Sequence, residues 1–165
     1  MSIFALQLAK AMGASGTITS SSDEKLERAR TFGADHTINY GKTPAWAQEV
    51  QTASGGRGAD HVIEVGGPGT LPQSIAAARV GGHIALIGVL TDGGGEVPIA
   101  TLMRRQQRLQ GLIVGSRLHQ QNFLQALDGL PPRPVIDRAF PLEEVTGAFR
   151  YERDGQHFGK IGLTL

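Results

Sequence analysis

The chain has no cysteine in 165 residues. That alone excludes disulfides and thiolate metal sites, and it makes a reducing cytoplasm the expected location. Charge imbalance is missing too: 16 Lys and Arg stand against 15 Asp and Glu, a net of +1. Nucleic acid and anionic membrane surfaces therefore have no electrostatic claim as partners. No window approaches the roughly 18 consecutive apolar residues of a membrane-spanning helix. No basic segment followed by an apolar run opens the chain, as a secretion signal would. Internal repeats and low-complexity linkers are absent. The five histidines (His36, His61, His83, His119, His157) are scattered without ligand spacing, which argues against a metal centre.

What remains is a chain of single-domain length, 1–165, long enough for a real core and rich in glycine at 23 residues. Phe4, Leu8 and Met12 recur at helical spacing, which predicts a largely buried helix over 2–12, ended by Gly13. Thr17–Thr19 reads as a strand and Asp23–Thr31 as a helix, with Glu24 and Arg28 as an i,i+4 pair and Gly33 closing it. Asp35–Asn39 is a second strand, and a helix opens at Thr43 or Pro44 and runs to about 52. His61–Val65 is a buried strand before Gly66-Gly67-Pro68-Gly69, 70–79 a helix, and Gly81-Gly82 a turn into the strand His83–Ile87. Gly93–Gly95 is a loop, Ile99–Arg108 a basic helix, Leu109–Val114 an apolar strand and His119–Leu130 a helix. Pro131-Pro132-Arg133-Pro134 is extended. Val135–Asp137 and Ala139–Phe140 are short strands, Leu142–Arg150 a helix, and Lys160–Leu165 the last strand. Strands and helices that alternate, with near-continuous apolar strands, predict an α/β fold with a doubly wound parallel sheet.

In such a sheet ligands bind beyond the carboxyl ends of the strands. Three of those ends carry glycine: Val65-Gly66-Gly67, Gly88-Val89-Leu90 and Val114-Gly115-Ser116-Arg117. The residue closing the strand at 17–19 is the one that meets an adenosine ribose, and an acid there holds a free 2′-hydroxyl. This chain instead offers Ser20, Ser21, Ser22 and Lys25, which suits a 2′-phosphate and points to NADP(H) rather than NAD(H). The same residues suit a plain helix cap at Ser22 or Asp23, and the sequence alone leaves both readings open. Glu64, inside an apolar strand, reads as a partly buried, hydrogen-bonded carboxylate. The run Arg104–Arg108 reads as a solvated helix face.

The blocks Gln7-Leu8-Ala9-Lys10, Ser20 through Leu26, Gly33-Ala34-Asp35, Ile38-Asn39-Tyr40, Gly55-Gly56-Arg57-Gly58, Gly81-Gly82, Ile87-Gly88, Val114 through Arg117 and Phe158-Gly159-Lys160-Ile161 follow one another in order. As a set they resemble the cofactor-binding domain of the medium-chain dehydrogenase/reductase family, which includes the zinc-type alcohol dehydrogenases and quinone oxidoreductases. The resemblance implies a Rossmann fold and hydride transfer between nicotinamide and an alcohol, aldehyde or enone. It places Ser20 where NAD-using members carry an acid, and Ser21, Ser22, Lys25 and Tyr40 around the 2′-phosphate. Val65 and Gly66 would lie along the adenosine. Gly88, Val89, Leu90, Val114, Gly115 and Ser116 would face the nicotinamide ribose and carboxamide. Lys160 matches the terminal Gly-Lys pair, although Leu163 replaces an arginine of some members.

By the same resemblance the first strand, the Gly-x-Gly-x-x-Gly turn and the catalytic domain with any zinc ligands are expected to lie ahead of Met1 and to be absent here. A truncated cofactor-binding domain is therefore expected, inactive alone, and a homodimer through Leu109–Val114. The rival readings are a non-catalytic remnant that folds or dimerises without turnover, and another doubly wound enzyme such as a methyltransferase, disfavoured by the missing acid after the second strand. Neither Tyr40 nor Tyr151 is followed by the Tyr-x-x-x-Lys pair of short-chain dehydrogenases. Gly155–Lys160 is one residue short of a phosphate loop and lacks its Ser/Thr.

Overall fold

The computed structural model describes residues 1–91, 94–129 and 133–165. Its elements alternate as expected: α1 (Ser2–Ala11), β1 (Thr17–Ser20), α2 (Asp23–Thr31), β2 (His36–Asn39), α3 (Trp46–Ala53), β3 (Ala59–Glu64), α4 (Leu71–Ala77) and β4 (Ala78–Leu86). Then come α5 (Ile99–Arg104), β5 (Arg108–Gly111), α6 (Arg117–Leu127), β6 (Ile136–Pro141), a 3-10 turn at Leu142–Glu144, α7 (Val145–Arg153) and β7 (Lys160–Thr164). Every pairing among the described residues is parallel, in three sets: β1 with β2, β3-β4-β5 in that order, and β6 with β7. No ladder joins β1 to β3 among the described residues. Gly93, Leu130, Pro131 and Pro132, read above as loop, helix end and extended link, lie outside the described residues.

Two aliphatic clusters form the core. Ile38 of β2 packs with Trp46, Ala47 and Val50 of α3 and Ala77 of α4, so α3 links the β1–β2 pair to the three-stranded sheet. Leu71 and Ile75 of α4 cover Ala78 and Ile84 of β4, with Val62, Leu102 and Leu109 at the margin. Burial at this scale is worth roughly 1.5–3 kcal/mol per large aliphatic side chain.

Several expected boundaries move for visible reasons. The helix expected over 70–79 ends at Ala77 because β4 starts at once, pairs Ala78 with Ala59, and bulges before His83 meets His61. Gly81, at φ +71, lies inside that bulge rather than in a separate turn. The helix expected to Arg108 stops at Arg104 because Arg105 and Gln107 turn inward. Arg105 Nη1 donates to the Ala76 and Ala78 carbonyls (2.8 and 2.9 Å), and Gln107 Nε2 to Ile75 and Ala78 (3.0 and 2.9 Å). They satisfy carbonyls that the end of α4 leaves open, so this run is not simply a solvated face.

The strand expected at Leu109–Val114 is corrected to Arg108–Gly111. Its neighbour β4 ends at Leu86, whose carbonyl accepts the last rung from Leu112 N–H (2.9 Å). Beyond that rung Ile113 and Val114 are each 90% exposed. The two short strands read near 135–140 are one strand, β6, with a register shift between Ile136 and Arg138. The first helix buries only Leu6, because its inner side borders an open cleft rather than a packed strand.

A C-terminal unit of β6, α7 and β7 docks on α1 and α2. Gln7 Nε2 donates to the Arg133 carbonyl at 3.1 Å, and Phe32 stacks on Phe158 with centroids 5.8 Å apart. Arg28, expected to pair with Glu24, instead reaches Asp137 at 2.8 Å and lies 4.3 Å over the Phe158 ring. Tyr151 Oη donates to the other Asp137 oxygen at 2.7 Å. That bond, followed by Arg28 and the Phe158 amide, holds the Asp137 carboxyl below the usual carboxylate range. On the entry side of β1, the Gly16 N–H (2.7 Å) and then Lys10 hold Asp35 down at about 2.

Candidate functional site

The carboxyl ends of β1, β3 and β4 carry most of the residues singled out in the sequence. After β1 the chain turns into α2 through hydroxyls that serve one another. Ser22 N–H donates to Ser20 Oγ (3.2 Å), and Lys25 N–H donates to Ser22 Oγ (3.3 Å). Ser22 is therefore a helix cap, and its cap bond uses the Lys25 backbone, which leaves the Lys25 ammonium for other work. That ammonium donates to the Gly155 carbonyl.

Ser21 is exposed, and its carbonyl accepts from Asn39 Nδ2 (3.3 Å) at the end of β2. The same amide group donates to Asp23 Oδ1 at 2.7 Å, and Lys42 pairs with the other Asp23 oxygen. The Lys42 and Asn39 bonds lower the Asp23 pKa. Tyr40 is tied to Ser20 through its backbone, N–H to carbonyl at 3.1 Å, while its side chain is exposed. Asn39, Lys42 and Asp23 were not read as site residues. Their signal was available, since Asn39-Tyr40-Gly41-Lys42 sits where the strand beside Ser20 must end.

After β3 the backbone closes around Glu64, which is 3% exposed. Its Oε1 accepts from Gly66 N–H (2.7 Å), Gly67 N–H (3.0 Å) and Thr70 Oγ1 (2.6 Å), and its Oε2 from Ser74 Oγ. This bears out the hydrogen-bonded strand carboxylate. Gly67 has φ +82, and a Cβ there would lie 2.8 Å from Val89 Cα, so the two turns touch backbone to backbone. Val65 and Gly66 are half-buried in this turn, whereas Val89 and Leu90, beyond β4, are exposed.

Val114, Gly115 and Ser116 do not close a strand. They form an exposed link into α6, where Ser116 Oγ accepts from His119 N–H (3.3 Å) and His119 Nδ1 accepts from Ser116 N–H (3.2 Å). Lys160 lies in β7 with its ammonium 6.0 Å from the Phe4 ring.

A cleft of about 360 Å³ brings part of this set together. Ser20 and Lys25 line it with Gln7 of α1, Leu90, His157 and Gly159. Gln7 Oε1 and His157 Nδ1 are buried without a hydrogen-bond partner. Buried polar atoms are normally satisfied, so two such atoms beside one cleft suit a polar ligand. Neither was read from the sequence.

The family model described as zinc-binding dehydrogenase matches residues 1–130. The chain belongs to that family. It is 42% identical to a zinc-type alcohol dehydrogenase-like protein of Schizosaccharomyces pombe, over 100% of this chain and 49% of the relative. A crystal structure of an NAD-dependent alcohol dehydrogenase superposes with TM-score 0.87 at 33% identity, over 99% of this chain and 47% of that one. A crotonyl-CoA carboxylase/reductase, AntE V350A in complex with NADP, shares the fold with TM-score 0.90 at 24% identity, over 99% of this chain and 46% of its own. The chain thus spans about half the length of the relatives it matches. The fold is the cofactor-binding domain of medium-chain dehydrogenases/reductases. The family's zinc finds no fit here: the chain has no cysteine, and no group of three His, Asp or Glu among the described residues can hold a metal ion. No described helix is long and apolar enough to cross a membrane.

Proposed function

We propose that this chain is the cofactor-binding portion of an NADP-dependent medium-chain oxidoreductase, located in the cytoplasm. The whole enzyme moves hydride between nicotinamide and an alcohol, aldehyde or enone. The observation that carries this reading is the cleft edge at the end of β1, where hydroxyls and an ammonium stand in place of an acid. A phosphate dianion is best held by a cation together with hydroxyl and amide donors.

In this reading Ser20, Ser21, Ser22, Lys25 and Tyr40 hold the 2′-phosphate. Val65 and Gly66 lie along the adenosine, and Gly88, Val89, Leu90, Val114, Gly115 and Ser116 offer backbone groups to the nicotinamide end. Lys160 completes the set from β7. When bound, the cofactor supplies or accepts hydride; these residues orient it, and none of them moves the substrate proton. We also place a homodimer contact on Leu109–Val114, which comprises most of β5 and the exposed apolar residues that follow it.

Titration of the ¹⁵N-labelled chain with NADPH tests the reading. Amide shifts are expected at Ser20–Lys25, Val65–Gly67 and Gly88–Leu90. No shift with either NADPH or NADH at millimolar concentration refutes it.

A further inference from the structure

We propose that Glu64 and Thr91 are positioning residues that lock the turns after β3 and β4 into one preset cofactor-facing rim. The proposal rests on the reading above.

The Gly66 backbone is held at both of its polar groups. Its N–H donates to Glu64 Oε1 at 2.7 Å. Its carbonyl accepts both the Thr91 N–H and the Thr91 hydroxyl, each at 2.8 Å. The same hydroxyl oxygen accepts from Gly69 N–H at 2.9 Å, so one exposed threonine beyond β4 ties both ends of the turn that follows β3. On the inner side, Glu64 gathers four donors on its two oxygens: two amides and the hydroxyls of Thr70 and Ser74.

The choice of an acid follows from that count. A glutamine offers one acceptor oxygen and an NH₂, and an apolar side chain offers none. Glu64 has no ion-pair partner among the described residues, so its work is geometric. A turn fixed this way keeps its ligand-facing side without waiting for the ligand, which spares binding the cost of ordering a glycine-rich loop.

The experiment compares Thr91→Val, Thr91→Ser, Glu64→Gln and Glu64→Leu with the parent chain. NADPH dissociation constants come from NMR titration, melting temperatures from calorimetry, and exchange rates from the Gly67 and Gly69 amides. Thr91 is exposed, so Thr91→Val is expected to fold, melt within a few degrees of the parent, exchange Gly69 at least tenfold faster and bind NADPH at least tenfold more weakly. Thr91→Ser restores both values, and Glu64→Gln falls between parent and Glu64→Leu. Should Glu64→Leu fail to fold, the Thr91 pair decides. Parent-like affinity in Thr91→Val, with the parent chain binding NADPH, overturns this proposal and leaves the cofactor reading standing. A parent chain that binds neither NADPH nor NADH overturns both.

Discussion

Cofactor choice can be worked from the end of β1. The ratio of NADH to NADPH dissociation constants isolates the 2′-phosphate, because everything else in the two ligands is shared. Lys25 lines the cleft together with Ser20, and its ammonium already donates to the Gly155 carbonyl. Turning it onto a phosphate exchanges a bond with one charged partner for a bond with two. A hydrogen bond to a charged group is worth about 1.5–3 kcal/mol, and the phosphate adds its charge to a bond that already carries the ammonium's, so the net is roughly 1–2 kcal/mol. The hydroxyls of Ser20 and Ser21 add to this. At about 1.4 kcal/mol per factor of ten, NADPH is expected to bind at least tenfold tighter than NADH.

Two substitutions separate the contributions. Lys25→Ala keeps the α2 cap, which uses the backbone amide, and is expected to weaken NADPH about tenfold while leaving NADH within twofold. Ser20→Asp puts a carboxylate where the 2′-phosphate would lie and is expected to reverse the preference. Isothermal titration or NMR titration of each variant with both cofactors gives the ratios. Equal constants for NADH and NADPH in the parent, or a Lys25→Ala change that weakens both alike, would refute the reasoning.

Asp137→Ala removes the acceptor shared by Arg28 and Tyr151. With the Asp137 side chain 8% exposed but Arg28 40% exposed, a loss of about 2 kcal/mol is expected, below the 3–5 of a fully buried pair. Calorimetry should show a melting point lower by about 4–8 °C. Because the folded-state pKa of Asp137 is depressed, its contribution is full above about pH 4 and lost as pH falls further; a variant with unchanged acid sensitivity counts against the clamp. Gly67→Ala and Gly56→Ala both strain a positive φ (+82 and +85), but only the first meets backbone, at Val89, so it should cost at least 1 kcal/mol more in urea unfolding. Sedimentation should show a dimer at micromolar concentration, with Leu109–Gly111 protected in hydrogen exchange; a monomer removes the β5 contact. The chain by itself should lack dehydrogenase activity and bind NADPH only weakly, and fusing an upstream strand and glycine turn should tighten binding at least tenfold, whereas micromolar binding by the unfused chain would overturn this expectation.

The elements that were legible in the sequence are those whose ends are written locally. Helix α2 runs over the expected Asp23–Thr31 because Ser22 caps it and Gly33, at φ +91, turns the chain after it. The extent of β5 was not legible, because it depends on where β4 ends, and Leu109–Val114 is uncharged and mostly apolar whether or not a neighbour pairs with it. Within the site, the hydroxyl run after β1 was readable as both cap and ligand edge, and the structure uses Ser22 for the first while Ser20 and Lys25 line the cleft. The partners of Glu64 lie at i+2, i+3, i+6 and i+10, so an acid closing a strand before Gly-Gly and two spaced hydroxyls was a readable cradle. Arg28 to Asp137 spans 109 residues and Lys25 to Gly155 spans 130, and no local pattern announces such pairs.

Those long-range contacts decide what shapes the cleft. Its walls come from α1, the end of β1, the turn after β4 and the segment 157–159, and no strand ladder joins the β1–β2 pair to the β3–β5 sheet among the described residues. Their relation is held instead by side chains. On one side, α3 packs Trp46 and Val50 between Ile38 and Ala77, and Gln51 Nε2 donates to the Ala76 and Ala77 carbonyls at 3.0 and 3.2 Å. On the other, Gln7, Lys25, Arg28 and Phe32 bind the C-terminal unit to α1 and α2. Side-chain packing is less stiff than a continuous ladder, because each contact can be lost singly, whereas a ladder fixes every rung at once. A substitution at Trp46 or Asp137, far from the Ser20 hydroxyl, therefore acts on the ligand edge through the spacing of the two walls. The preset turns at Gly66 and Thr91 act in the opposite sense, giving one wall a shape that does not depend on the other.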